Sequence, residues 1–164
     1  MSDSFHARLT AALNYDAETG IFTWSSTMTG NAKKGSVAGN ILNNGYIRIS
    51  VFGKRYLAHH LAWAYCYGKL PTENMDHING NKGDNRICNL RLASQSQNMM
   101  NQGLRSDNTS GYKGVYYRHR LKKWQAMISV NGKRKTLGHY STPELAYEAY
   151  KKEAVLNYGD YARV

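Results

Sequence analysis

The spacing of apolar side chains changes several times along the chain, and each spacing predicts a short element. Apolar residues recur at helical intervals in residues 4–13 and again in residues 57–67, which predicts two short helices. The second helix should end at Gly68, because glycine readily adopts the left-handed conformation that closes many helices. Between them, residues 45–58 alternate in polarity around a turn at Gly53, and this period of two predicts a β-hairpin.

The last third of the chain predicts a small sheet followed by a helix. The predicted strands span residues 112–118, 124–130 and 133–140. Asn131 and Gly132 separate the second and third strands, and an Asn-Gly pair is a strong signal for a two-residue hairpin turn. Thr142 and Pro143 are typical of the first positions of a helix, which we expect over residues 143–157.

A polar stretch between these regions holds the candidate chemistry. Asp76 and His77 are adjacent, Asn89 follows His77 after twelve residues, and Asn98 follows after nine more. The loop between His77 and Asn89 is rich in Asn, Gly and Asp, which turn tightly and hydrogen-bond to their own backbone. Ser94 is followed three residues later by Gln97, the spacing of a helix capping box. The stretch therefore predicts a strand, a polar loop, a short strand and a helix.

The charge of the chain narrows the class of partner. The 164 residues carry a net charge of +11, which predicts an anionic partner. No basic amphipathic helix or apolar anchor accompanies the charge, so nucleic acid is favoured over a membrane. No apolar run has the length of a spanning helix and the first residues lack the apolar core of a signal peptide, so we expect a cytoplasmic protein. The two cysteines, Cys66 and Cys88, lack metal-ligand spacing, so no zinc set is predicted from them.

The residues of the polar stretch resemble the HNH nucleases of the phage and intron-encoded type, which have a ββα-metal site. The resemblance implies that His77 is the general base and that Asn89 holds the loop and orients the histidine. It also implies that Asp76 and Asn98 bind one divalent metal ion. Hydrolysis of a phosphodiester needs an activated water and charge neutralisation at the phosphate, which a histidine near its ordinary pKa and a metal ion supply.

Three further features refine this interpretation. Asn98 stands where many members carry a histidine, and carboxylate and amide oxygens suit Mg or Mn better than zinc. His59 and Asn85 are added as candidate active-site residues. For His59 a structural role is the alternative, and Asn85 could equally serve the turn in which it lies.

The C-terminal region resembles a second family, the ethylene-response-factor type of DNA-binding domain, over residues 110–162. The resemblance rests on Gly111-Tyr112-Lys113-Gly114-Val115, Lys123-Trp124, Gly132-Lys133-Arg134, Leu137-Gly138 and Thr142-Pro143-Glu144-Leu145-Ala146. It implies a three-stranded sheet that enters the major groove of DNA. The contacts expected by position are Lys113, Tyr116, Arg118, Trp124, Lys133, Arg134 and Lys135.

Two departures bear on that DNA-binding module. Members of the family usually carry Arg where this chain has Lys113 and Tyr116, and the loss of two guanidinium forks predicts looser sequence specificity. Phosphate contacts should then carry much of the affinity. Trp124 could pack in the core instead of contacting DNA.

Together these patterns predict an α+β chain with two modules. We expect an HNH nuclease module over residues 1–105, with its ββα-metal core at about 73–103, a linker at 106–110, and an ethylene-response-factor-type DNA-binding domain at 111–164. The predicted function is a metal-dependent endonuclease that nicks double-stranded DNA as a monomer, without an obligate protein partner. The alternatives are a non-catalytic DNA-binding regulator with a vestigial nuclease fold and, on charge and aromatic content alone, an RNA-binding protein.

Overall fold

A computed structural model describes residues 4–27 and 32–164, and its mixture of helices and strands is the α+β class expected from the sequence. The chain divides into two compact units, Met1–Leu92 and Ala93–Val164, which are described separately below. The functional boundaries predicted from the sequence stay a prediction.

The first unit contains two helices and seven short strands among its described residues. These are α1 (Phe5–Ala12), β1 (Leu13–Tyr15), β2 (Phe22–Trp24), β3 (Asn40–Ile41), β4 (Ile47–Val51), β5 (Lys54–Leu57), α2 (Ala58–Tyr67), β6 (Met75–His77) and β7 (Leu90–Leu92), with a 3-10 turn at Ile87–Asn89 before β7. The strands form the pairs β1-β2 and β6-β7 and a three-stranded sheet in the order β3-β4-β5. The predicted hairpin corresponds to β4 and β5.

One apolar core holds the first unit together. Leu9 and Leu13, from α1 and β1, are completely buried with Ile49 of the sheet and Leu61 of α2. β5 leads directly into α2, and Gly68 ends that helix with φ of 80°, as predicted. His59 is buried as well, on the side of α2 that it shares with Ala62.

The antiparallel pair of β6 and β7 places the polar stretch at the edge of this core. Asp76 lies directly opposite Arg91, and His77 lies opposite Leu90. All three residues of β6 are buried, although two of them are ionisable. The loop that joins the strands, residues 78–89, therefore begins from a buried acid and a buried base.

The second unit consists of one short helix, a three-stranded sheet and a long helix. Its elements are α3 (Gln95–Asn101), β8 (Val115–Arg118), β9 (Lys123–Val130), β10 (Lys133–Tyr140) and α4 (Pro143–Tyr158), followed by a 3-10 turn at Gly159–Tyr161. The sheet is antiparallel, with β9 in the centre. Asn131 and Gly132 have φ of 50° and 77°, the positive values that the predicted hairpin turn requires.

The first strand of this sheet is shorter than the pattern predicts, because two glycines give the preceding residues another path. Gly111 and Gly114 have φ of 76° and 72°, outside the range of a regular strand. Gly114 also lies so close to Tyr150 that a Cβ atom there would be 2.2 Å from the ring. The strand expected from Tyr112 therefore begins only at Val115.

Both helices of the second unit begin with the predicted caps. The Thr142 hydroxyl accepts a hydrogen bond at the start of α4, and Ser94 and Gln97 form the capping box of α3. α4 packs its buried residues Ala146, Tyr150 and Ala154 against the sheet. Among the residues that the structure describes, no helix is long and apolar enough to cross a membrane.

Candidate functional site

Asp76 and His77 are the centre of the candidate site, and both residues are 4% exposed. Asp76 and Arg91 occupy directly opposed positions, so their side chains share one face of the strand pair. Arg91 uses this position to donate from Nε to the carboxylate Oδ2 of Asp76 at 2.9 Å, and its Nη2 atom lies 2.8 Å from the same oxygen in an ion pair. The buried carboxylate is thus balanced by a partly buried cation.

The loop after His77 is closed by the side chain of Asn89. The Asn89 amide oxygen accepts from the backbone N–H of Asn79 at 3.0 Å. Its amide nitrogen donates to the side-chain oxygen of Asn79 at 3.1 Å and to the backbone carbonyl of Asp84 at 2.8 Å. Asn89 therefore joins the beginning and the middle of the loop to its end.

Asp84 is the second residue that shapes this loop. Its carboxylate accepts from the guanidinium of Arg86 at 2.6 and 2.8 Å and from the side-chain amide of Asn79 at 2.7 Å. The hydrogen bond from Arg86 is the largest cause that lowers the pKa of Asp84, to about 2. Asp84 is therefore ionised throughout the neutral range.

Asn85 is the loop residue that faces the histidine. Its side-chain oxygen lies 3.5 Å from Nε2 of His77, and the residue is almost completely buried. Tyr15 donates its hydroxyl to the Asn85 backbone carbonyl at 2.7 Å, and the Asn85 amide nitrogen donates to the carbonyl of Gly83 at 3.1 Å. An amide oxygen only accepts, so this contact is a hydrogen bond when Nε2 of His77 carries the proton.

The rings of two more residues surround the His77 imidazole. The His59 ring centroid lies 4.9 Å from that of His77 in an edge-to-face arrangement, and the Tyr46 ring lies 5.9 Å away. Burial lowers the pKa of His77, and burial, with His60 and His77 close by, lowers the pKa of His59 to about 3. Both imidazoles are therefore neutral at physiological pH. Nδ1 of His59 is buried and has no hydrogen-bond partner in the described part of the chain.

The donor set suits a hard divalent ion. Within residues 4–27 and 32–164, no group of three or more His, Cys, Asp and Glu residues could hold a metal. A buried carboxylate such as that of Asp76 is a ligand of the type that suits Mg²⁺ or Mn²⁺, which retain several waters and need few protein ligands. Asn98 is the middle residue of α3, in the second unit, and its pairing with Asp76 stays a prediction.

The residues predicted to contact DNA fall into distinct groups in the second unit. Tyr116, Arg118 and Arg134 line one shallow depression on the sheet, together with Met127 and Ser129. The Arg118 side chain donates to the side-chain oxygen of Gln125 at 2.5 Å, which holds the guanidinium across the sheet. Because side chains alternate between the faces of a strand, these residues define one face, which we call the open face.

The other predicted contacts lie elsewhere. Trp124 packs beside Tyr117, with ring centroids 5.0 Å apart. Lys133 and Lys135 are exposed, and Lys135 forms an ion pair with Glu153 of α4 at 2.7 Å. Lys113 is half-buried and donates its ammonium to backbone carbonyls at the end of α3, including that of Gln102 at 2.8 Å.

Sequence reasoning missed several residues that the structure places at the site. Arg91 could have been found from the two predicted strands, because their antiparallel register sets it against Asp76. Tyr15, Tyr46 and Gly20 come from distant parts of the chain and carry no local signal. Gly20 touches the loop so closely that a Cβ atom there would be 2.4 Å from the backbone nitrogen of Arg86.

Comparisons with known proteins connect this site with one family. Residues 56–100, which include the whole of the candidate site except Tyr15, Gly20 and Tyr46, match the HNH_3 model of HNH endonucleases. The chain is 29% identical over 113 residues to Protein 3.8 of Escherichia phage T7, covering 68% of this chain and 93% of that protein. It is 30% identical over 111 residues to the uncharacterized HNH endonuclease L560 of Acanthamoeba polyphaga mimivirus, covering 67% of this chain and 57% of that protein.

The chain resembles a solved structure of the HNH homing endonuclease I-HmuI, with a TM-score of 0.43. That structure concerns DNA binding and cleavage by I-HmuI. The two are 23% identical, and the likeness covers 89% of this chain and 84% of that chain. The family model and the mimivirus relative support the HNH part of the interpretation. The resemblance of residues 110–162 to the ethylene-response-factor type stays a prediction.

Proposed function

We propose that the chain is a metal-dependent DNA endonuclease of the HNH type that nicks double-stranded DNA. One observation carries the proposal: the buried imidazole of His77 lies beside a buried carboxylate within the segment that matches HNH endonucleases. A buried acid and base with no role in the apolar core are costly for folding, which favours a catalytic role over a structural one.

His77 acts as the general base in this proposal. Its Nε2 atom lies 3.5 Å from the acceptor oxygen of Asn85, and we propose that Nδ1, the other ring nitrogen, takes the proton from the attacking water. The low pKa that burial gives the imidazole keeps it unprotonated and able to accept. Asn89 and Asp84 fix the loop that carries Asn85, and His59 holds the other side of the ring.

Asp76 and Asn98 are the proposed ligands of one Mg²⁺ or Mn²⁺ ion. When bound, such an ion stabilises the charge that develops on the phosphate and on the leaving 3′ oxygen. Arg91 holds the Asp76 carboxylate in place and adds a positive charge next to it. The same charge lowers the electrostatic attraction of Asp76 for a cation, which suggests that the ion binds weakly without DNA.

The second unit supplies the proposed DNA contact. Tyr116, Arg118 and Arg134 on the open face would meet the bases or backbone of the duplex, and the exposed Lys133 and Lys135 would meet phosphates. The net charge of +11 favours binding to any duplex, in line with loose sequence specificity. One catalytic histidine per chain favours a nick by a monomer.

A plasmid assay tests the proposal. Supercoiled DNA incubated with the wild-type protein and Mg²⁺ or Mn²⁺ should become nicked and relaxed, and a chelator should prevent this. His77→Ala should abolish relaxation, whereas His119→Ala, a change at an exposed histidine, should leave it intact. DNA that is bound but never cut by the wild-type protein would instead favour a non-catalytic regulator.

A further inference from the structure

α3 is too short to be stable without help from its surroundings. It has seven residues, whereas an isolated helix below about 12 to 15 residues is marginal in water. Its start is fixed by the capping box of Ser94 and Gln97. Its buried face is held by Met100, which packs in one apolar cluster with Ile128 of the sheet and Tyr150 of the long helix α4.

The end of α3 is contacted by a side chain from a later part of the unit, in addition to the backbone N–H of Arg163, which donates to the Met100 carbonyl at 3.3 Å. The ammonium of Lys113 donates to the backbone carbonyl of Met100 and, at 2.8 Å, to that of Gln102. The last turn of α3 contains no basic residue of its own. Because carbonyls at the end of a helix lack partners and carry a partial negative charge, an ammonium there satisfies both needs.

Lys113 reaches this position because the chain around it does not follow a strand. The positive φ of Gly111 and Gly114 gives the segment an irregular path just before β8 begins. Burial, with a smaller effect from Arg163, lowers the pKa of Lys113 to about 8. Lys133, in β10, is exposed and makes no comparable hydrogen bond among the described residues, so the two lysines have different roles.

We propose that Lys113 is a positioning residue of the nuclease site, which fixes the end of α3 and thereby the orientation of Asn98. This inference rests on the proposed function, in which Asn98 binds the metal ion. It replaces the base contact that the family resemblance implies for Lys113 with a role inside the protein. The sheet unit would then orient a metal ligand as well as bind DNA.

The two roles predict opposite results for Lys113→Met. A positioning role predicts that the Mg²⁺ or Mn²⁺ concentration for half-maximal nicking rises about tenfold, the lower end of the effect of residues that orient metal ligands. DNA binding measured in chelator, and its dependence on salt, should stay as in the wild type. A DNA-contact role predicts weaker binding in chelator, a salt slope reduced by about 1, and an unchanged metal requirement. That second result would overturn the inference.

Variants at two other lysines, and a conservative change at Lys113 itself, serve as controls for these predictions. Lys133→Met removes the same charge from an exposed, predicted phosphate contact and should reduce the salt slope. Lys152→Met removes it from an exposed position on α4 and should alter neither the slope nor the metal requirement. Lys113→Arg keeps a donor for the carbonyls and should restore a metal requirement within about twofold of the wild type if positioning is the role.

Hydrogen exchange separates this inference from the proposed function. In Lys113→Met the backbone amides of residues 98–102 should exchange faster than in the wild type, while those of β9 keep their rates. If the wild-type protein fails to nick DNA, the proposed function falls, and the exchange rates still decide whether Lys113 holds α3. Unchanged exchange in α3 would overturn the inference, whatever the cleavage assay shows. If Lys113→Met does not fold, the same comparison is made with Lys113→Arg. Faster amide exchange in α3 of Lys113→Arg than in the wild type, together with tighter DNA binding, would then overturn the inference.

Discussion

His59 combines a buried position with an unsatisfied atom, and that combination is costly. Nδ1 of His59 is enclosed without a hydrogen-bond partner in the described residues, while the ring packs on His77. A buried polar atom without a partner costs about 1–3 kcal/mol. Such a cost is tolerated where the atom meets a substrate, and His59 lies beside the proposed base.

We therefore expect stability and activity to change in opposite directions at His59. His59→Phe keeps a ring of similar shape and removes the unsatisfied atom, so the free energy of unfolding should stay the same or rise by about 1 kcal/mol. Nicking should fall at least about tenfold, as expected when a positioned polar group is lost. Denaturant unfolding and the plasmid assay measure the two effects. Full activity in His59→Phe would show that the ring serves packing alone.

Asp84 gives a prediction for the effect of pH. Its pKa is lowered from an ordinary 3.8 to about 2 in the folded protein, so the unfolded chain binds the proton first as the pH falls. The stability that Asp84 contributes is therefore complete above about pH 4 and is lost between about pH 4 and 2. The difference in free energy of unfolding between the wild type and Asp84→Asn should shrink over that interval. A difference that is the same at pH 6 and pH 2.5 would contradict the assigned role.

At the scale of elements, the loop of residues 78–89 is held from outside as well as from within. Gly20, with φ of 74°, lies against the backbone of Asn85 and Arg86. Tyr15 donates to the carbonyl of Asn85 from the strand that precedes this glycine. The turn between β1 and β2 therefore supports the loop residue that faces His77.

A pair of glycine variants tests that support. Gly20→Ala and Gly53→Ala both place a side chain at positive φ, which costs roughly 1–2 kcal/mol. Only at Gly20 would the new Cβ meet backbone atoms, at 2.4 Å, since nothing lies within 4 Å at Gly53. Under conditions where both variants are folded, nicking should fall at least about tenfold in Gly20→Ala and stay near the wild-type rate in Gly53→Ala. Equal activity would exclude the support.

Some elements of this fold follow from the sequence alone, and others depend on contacts between distant parts of the chain. The hairpins, the caps at Ser94 and Thr142 and the turn at Asn131 rest on neighbours along the chain, so local patterns were enough. The pairing of Asp76 with Arg91 depends on the register of two strands. The contact of Asn85 with His77 depends on how a loop folds back, and no spacing rule distinguishes it from the other asparagines of the loop.

For the whole molecule, the boundary between the two compact units differs from the predicted end of the nuclease motif. The nuclease motif was predicted to continue to about residue 103, whereas α3 belongs to the compact unit Ala93–Val164. Met100 contributes to the core of that unit together with Tyr150 and Tyr158. Asn98, a predicted site residue, is therefore part of the compact unit that carries the sheet.

Fragments test this division directly. A fragment of residues 93–164 keeps Met100 in the core, and a fragment of residues 106–164 lacks it. Loss of one buried methionine side chain costs about 2–5 kcal/mol, so the shorter fragment should unfold at a clearly lower denaturant concentration. Within the longer fragment, Met100→Ala should reproduce most of the loss. Equal stability of the two fragments would place α3 outside the folding unit.

The register of β6 and β7 has a consequence for how chains of this kind change over evolutionary time. A slip of one residue would turn the side chain of Asp76 and that of His77 each to the face opposite its present one, because side chains alternate along a strand. Insertions and deletions should therefore be rare in these two three-residue strands among related proteins. They should accumulate instead near Asn81 and Lys82, where the side chains are exposed and a changed loop length leaves the alignment of acid and base intact.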